Sequence, residues 1–175
     1  MEDFELRLRG GHPNSLGNTL EIVEEILADH QLFDELFHCY FSDDEVVRLR
    51  VSNAMKRICK QEKSLLLPYF NRFLDEISKI DQASTQWTLS QLFLQLQADM
   101  TDGQKQKSLN IMKHNLAYHH DWIVLCQTME TLGRWAKKDE DLNEWLLPHL
   151  KRLIRDKRKA VSKKANKTLE ELSLH

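Results

Sequence analysis

Apolar residues recur at three- and four-residue steps through much of the chain. Val47, Val51, Ala54, Met55 and Ile58 share one face of a predicted helix, with Ser42, Asp43 and Asp44 ahead of it as capping residues. The layout returns 77 residues later, where Val124, Thr128, Thr131, Leu132 and Trp135 take the same places and Asp121 stands ahead as the cap. A shift of 38 residues moves Ala54, Met55 and Ile58 onto Leu92, Phe93 and Leu96, inside a helix predicted to begin near Asp81. The pattern therefore repeats in register, and a helix pair of about 38 residues is its unit.

Each of these helices has a partner. Residues 65–74 and 145–154 both contain Leu-Leu-Pro followed by apolar residues at helical spacing. Proline is tolerated in the first turn of a helix, where no intrahelical N–H bond is lost, so Pro68 and Pro148 are predicted to mark second-helix starts. In the middle repeat Thr101-Asp102-Gly103 breaks the chain ahead of Leu109, Ile111, Met112 and Leu116. An earlier pair fits residues 16–29 and 32–41, and Val161, Ala165, Thr168, Leu169 and Leu172 form one stripe of a last, unpaired helix. On the helix from Asp81, Leu89, Leu92, Phe93 and Leu96 make one face while Ala83, Trp87 and Leu94 lie nearly opposite; residues 123–135 are apolar almost all round. Such helices belong between neighbours in a stack.

Composition agrees with this reading. Five Gly and three Pro in 175 residues leave room for few sharp turns, which argues against a many-stranded β fold. The length suits one domain. No window approaches the roughly 18–20 uninterrupted apolar residues of a membrane span, and the start, Met1 to Glu5, is acidic where a signal peptide would be basic. A soluble, cytoplasmic protein with no membrane partner is expected. Cys39, Cys59 and Cys126 are odd in number, widely spaced and in apolar helical settings, so they are expected as buried thiols and not as a disulfide framework or metal pair.

The run Asp43-Asp44-Glu45-Val46-Val47-Arg48, with its small and apolar continuation and the Leu-Leu-Pro second helix, resembles the HEAT-type repeat of the armadillo-like superfamily. The equivalent of Val47-Arg48 is Val124-Leu125 in the repeat at 121 and Thr85-Gln86 in the repeat at 83. Through Gln86-Trp87-Thr88-Leu89 and Asp121-Trp122-Ile123-Val124 the chain is also similar to small bacterial HEAT-repeat proteins, for which no activity is established. The resemblance implies an all-α fold, an α-α superhelix or right-handed solenoid. It would contain about four antiparallel helix pairs (approximately 14–41, 44–80, 82–118 and 121–155) and a terminal helix over 157–173, in a single domain of residues 1–175.

Charge adds the main functional clue. The net charge of −2 conceals a segregation: residues 1–60 hold 7 basic and 12 acidic positions, whereas Pro148 to Thr168 hold nine basic residues and one acidic, Asp156. Lys159, Lys163 and Lys167 recur every four residues opposite the apolar stripe of the last helix, which predicts an exposed basic ridge. Lys151, Arg152 and Arg155 are placed on the last second helix, beside a concave face. Trp87 and Trp122 lie near helix starts, where a solenoid exposes a binding edge. The expected function is a non-enzymatic scaffold for protein–protein interaction, with Lys151, Arg152, Arg155, Lys159, Lys163, Lys167, Trp87 and Trp122 as candidate contacts for an acidic partner. The plainer alternatives are a solvated end cap for the basic residues and core packing for the tryptophans.

Nucleic-acid binding through phosphates is the competing function. HEAT-like repeats include DNA glycosylases that use tryptophan and aspartate in a concave basic groove, and Trp135 and Asp139, with Lys137 and Lys138, have a comparable spacing. That enzymatic reading is the remotest one. Glu35-Leu-Phe-His38 and the cluster His114, His119, His120 and Asp121 are the nearest approaches to a metal set. The first lacks the second motif of a di-iron site, and Asp121 is expected to cap a helix. No cofactor, metal or catalytic residue is expected.

Overall fold

A computed structural model describes residues 3–175; Met1 and Glu2 of the acidic start lie outside them. The described residues are entirely helical, with ten α-helices joined by short loops and 3-10 turns. None is long and apolar enough to cross a membrane. The chain divides into two compact units between Thr88 and Leu89, inside α6 (Ala83–Gln95).

The first unit contains α1 (Phe4–Leu8), α2 (Thr19–Ala28), α3 (Phe33–His38), α4 (Glu45–Gln61) and α5 (Phe70–Asp75). The Asp44 carboxylate accepts the Val46 N–H at 2.8 Å and starts α4. The stripe foreseen along α4, from Val47 to Ile58, is fully buried and packs with α2, where Ile22 and Ile26 are buried as completely. Burying a side chain such as Ile58 stabilises by about 1.5–3 kcal/mol against about 1 kcal/mol for a cap. The stripe thus decides where α4 docks, and the cap decides where it begins. Arg48 ties this start down, its Nη1 donating to the Ser42 carbonyl at 2.5 Å and its Nε to Gln82 Oε1 at 2.7 Å.

The expected helix over 65–74 forms only in part. Pro68 sits in a 3-10 turn, Leu67–Tyr69, directly ahead of α5, consistent with its expected place at a start. Further 3-10 turns at Lys63–Leu65 and Ile77–Lys79 divide the rest. Here Phe37 gathers an aromatic cluster, its ring centroid 4.8 Å from that of Tyr69 and 5.2 Å from that of Phe73. The short helix α1, capped by Asp3, was not foreseen.

The second unit contains α7 (Asp102–Tyr118), α8 (Trp122–Ala136), α9 (Glu140–Leu153) and α10 (Lys159–Ser173). Thr101 and Gln104 form a reciprocal capping box at α7, and Asp121 caps α8 by accepting the Ile123 and Val124 N–H groups. Helix α8 packs with α7, α9 and α10, and the stripe Val124, Thr128, Thr131, Leu132 and Trp135 is buried throughout. Its two hydroxyls have partners: Thr128 Oγ1 lies 3.2 Å from Ser90 Oγ, and Thr131 Oγ1 donates to the Ser90 carbonyl at 2.7 Å.

Two expectations are corrected. Pro148 does not begin a helix; it lies inside α9, which starts at Glu140 because Asp139 Oδ1 accepts the Leu142 N–H at 3.0 Å and Glu140 and Asp141 fill the first turn. Cys39 and Cys59 are buried, and burial pushes the Cys39 thiol up to about 12, but Cys126 is only half-buried, donating to the Ala160 carbonyl at 3.6 Å.

Helices α8 and α10 pack tightly at Gly133, where a Cβ would stand 2.6 Å from Thr168 Cγ2. Alanine would gain about 1 kcal/mol in helix propensity, but in a filled contact overpacking costs about 1–3 kcal/mol. Gly133→Ala is therefore expected to lower the thermal midpoint, and Thr168→Ser, which deletes the clashing methyl, to restore it.

Candidate binding surface

The predicted contacts divide between the units. Trp87 is half-buried on α6 in the first unit; the other seven residues belong to the second. Lys151 and Arg152 lie on the last turn of α9, while Arg155 lies beyond it, because the helix closes at Ile154. The expected place for Arg155 on the helix is thus corrected. Lys159, Lys163 and Lys167 are exposed along α10, opposite the buried positions Val161, Ala165, Thr168 and Leu172.

Trp122, 48% exposed, is the first residue of α8, and Tyr118, 70% exposed, is the last of α7. The corner between them is fastened to the basic segment. Arg152 Nη2 donates to the Leu116 carbonyl at 3.0 Å, and Arg158 Nη1 donates to the His120 carbonyl at 2.5 Å. Both guanidinium groups thus complete carbonyls left over at the C-terminal end of α7 or just past it, where positive charge is favoured. Arg152, read from sequence as a contact residue, has this structural task.

Asp156 is the acidic exception in the segment, and Arg158 occupies it, with Nε at 2.9 Å from Oδ1 and Nη2 at 2.8 Å from Oδ2. Those hydrogen bonds, with one from the Arg158 backbone N–H, hold the Asp156 carboxyl down at about 2. Lys164 pairs with Glu130, and Lys167 lies 3.9 Å from Glu171. Among the described residues Lys151, Arg155, Lys157, Lys159 and Lys163 have no carboxylate partner. The segment tied to this corner therefore carries uncompensated positive charge, and the corner itself exposes two aromatic rings.

A second aromatic group joins α7 and α9. The rings of Trp145 and His149 stack with centroids 4.2 Å apart, Lys113 Nζ stands 5.0 Å from the Trp145 centroid, and His114 and Tyr118 are 5.1 Å apart. No signal in the sequence marks Tyr118 as exposed, since it lies seven residues, about 20° round the helix, from Ile111, one of the apolar positions of α7. Burial, reinforced by the Arg152 cation, lowers the His149 imidazole below its usual range. A lowered base takes up its proton later in the folded than in the unfolded chain. Its contribution to stability is full above the unfolded value of about 6.5 and is lost as pH falls below it. His149→Gln is expected to reduce the drop in thermal midpoint between about pH 7.5 and 5.5, a window well above the Asp156 titration.

The remaining candidates have local tasks. Glu35 Oε1 accepts the Phe4 N–H at 2.7 Å, and His119 Nδ1 accepts the Asp121 N–H at 3.0 Å. No group of three His, Cys, Asp or Glu among the described residues could hold a metal. Trp135 is buried, and Asp139 is the cap of α9.

No known family model matches the chain, and no curated protein matches it. Among solved structures it is similar to the crystal structure of an engineered protein from the Northeast Structural Genomics Consortium. The two share 14% identity at a TM-score of 0.64, over 98% of this chain and 80% of that one. At that identity, the likeness is one of fold alone.

Proposed function

We propose that the chain is a non-enzymatic helical-repeat module, of the HEAT-like superhelical type, that binds an acidic segment of a partner protein in a cytoplasmic setting. The observation that carries this reading is the corner of the second unit, where Tyr118 and Trp122 are exposed and to which Arg152 and Arg158 tie a basic segment whose Arg155, Lys159 and Lys163 have no carboxylate partner among the described residues. Exposed aromatic anchors flanked by cations are the typical composition of a binding hot spot. The three free thiols fit a reducing compartment.

Nucleic acid is the second reading, because aromatic rings between cations also suit stacked bases along a phosphate backbone. A fluorescein-labelled twelve-residue Asp/Glu peptide, followed by anisotropy, tests the first. Binding is expected, weakened about tenfold by Tyr118→Ala with Trp122→Ala, the loss of two contact anchors. Equal binding by that variant would remove the corner from the account, and binding of an oligothymidylate alone would favour the second reading.

A further inference from the structure

The side chains that lead away from the corner give the proposed acidic-segment site a path and a pH dependence, an inference that rests on that reading. The Tyr118 ring lies 5.1 Å from that of His114, one turn back along α7. The next residue, Lys113, reaches across to α9, its Nζ 5.0 Å from the centre of the Trp145 ring. Trp145 in turn stacks on His149 at 4.2 Å. His114 is exposed, while Lys113, Trp145 and His149 are half-buried, so all of them retain surface for a partner. The bond from Arg152 to the Leu116 carbonyl fastens the last turn of α9 to the end of α7 and holds the two helices in this relation.

The charge on these two stretches has one sign. No acidic residue occurs from Gly103 to Tyr118 on α7 or from Trp145 to Leu153 on α9, whereas Lys113, Lys151 and Arg152 are cations. An anionic segment is the complement of such a face. The charged groups that face His149 are Arg152 on its own helix and, over the Trp145 ring, Lys113 from α7. Lys113 also adjoins His114 in the chain, and Tyr118 is the titratable group against its ring. Among the described residues, no element packed against α7 or α9 brings a carboxylate within ion-pair distance of either imidazole. Burial and the Arg152 cation accordingly hold the His149 imidazole below its usual range. A carboxylate laid against these rings supplies the counter-charge that the chain itself lacks.

We propose that the acidic segment crosses the α7–α9 face with carboxylates against His114 and His149, so that its binding takes up protons and tightens as pH falls. The sign follows from linkage. Partner carboxylates favour the imidazolium form, so the complex holds more protons than the free chain, and affinity rises as pH falls through the ordinary histidine value of about 6.5. The partner's Asp and Glu side chains, with ordinary values near 4, stay ionised throughout that window.

Anisotropy of the twelve-residue Asp/Glu peptide at pH 7.5 and 6.0 and constant ionic strength tests this, with a rhodamine label that does not titrate in the window. Affinity is expected to rise about fivefold at the lower pH, and His114→Gln with His149→Gln to leave less than about a twofold change. Lys113→Glu should weaken binding about fivefold at pH 7.5, because it places a like charge on the path. His114→Gln alone, on an exposed side chain, should cut the tightening to about twofold and serves if the double variant fails to fold. Binding that needs Tyr118 and Trp122 but is equal at the two pH values would overturn this inference and leave the corner reading intact. Tightening that survives in the double variant, or full binding by Lys113→Glu, would also overturn it, whereas absence of binding at both pH values would remove the corner reading as well.

Discussion

Arg50→Ala is expected to lower the stability of the first unit by about 3 kcal/mol or more, a large share of what holds a domain of this size together. Arg50 is 2% exposed on α4, and no carboxylate among the described residues neutralises it. Its guanidinium instead gathers one loop. Nη1 donates to the Leu8 and Gly10 carbonyls at 2.6 and 2.7 Å, Nε to Ser15 at 3.1 Å and Nη2 to His12 at 3.3 Å. The loop is shaped to receive it. Gly17 has φ of +51°, and a Cβ there would stand 3.1 Å from Arg50 Cζ. Alanine at position 50 leaves those carbonyls without donors and opens a void, each costing on the order of 1–3 kcal/mol. Lysine cannot repair this, because an ammonium lacks the planar fork that reaches carbonyls on several sides. Urea unfolding followed by far-UV circular dichroism checks both variants. A shift below about 1 kcal/mol for Arg50→Ala would mean that the loop is held by something else.

Reversing Arg155, Lys159 and Lys163 to glutamate is expected to weaken binding of an acidic peptide by about a hundredfold, with the fold intact. Each exposed pair contributes about 0.2–1 kcal/mol, and reversal replaces attraction with repulsion, so three changes together amount to roughly 2–4 kcal/mol. Stability should hardly move, since none of the three has a carboxylate partner to lose among the described residues. Lys164 and Arg152 are poor choices for the same test. Lys164 pairs with Glu130, and Arg152 completes the Leu116 carbonyl, so changing either would mix folding with binding. Circular dichroism and the thermal midpoint of the triple variant check the first claim, and peptide anisotropy checks the second.

The apolar spacing proved readable because burial of a stripe is a local property of a helix. Val47 to Ile58, its counterpart on α8 and the Asp44 and Asp121 caps could all be placed from neighbouring residues alone. Arg50 was missed although it lies three residues after Val47 and four before Ala54, on the edge of the buried face. Its partners come from residues 8–15, and no local pattern announces a carbonyl cage supplied from so far along the chain. Pro148 was misplaced because first-turn preference is a tendency, whereas the Asp139 cap and the buried Leu142, Leu146, Leu150 and Leu153 hold α9 together through the lost bond. At the surface, the excess of lysine and arginine was visible as composition. Which cations are spent inside the chain, Arg152 and Arg158 on carbonyls and Lys164 on Glu130, depends on folded distances that composition does not carry.

The central claim, an acidic protein segment at the corner of the second unit, is tested most directly by a competition titration. The labelled acidic peptide is bound at low salt and displaced with unlabelled peptide or with oligothymidylate of equal charge, and the experiment is repeated near physiological salt. The account predicts displacement by the peptide at both salt concentrations, with the oligothymidylate a weaker competitor whose effect fades as salt rises. Stronger displacement by the oligothymidylate at both concentrations, or no peptide binding at low salt, would contradict it.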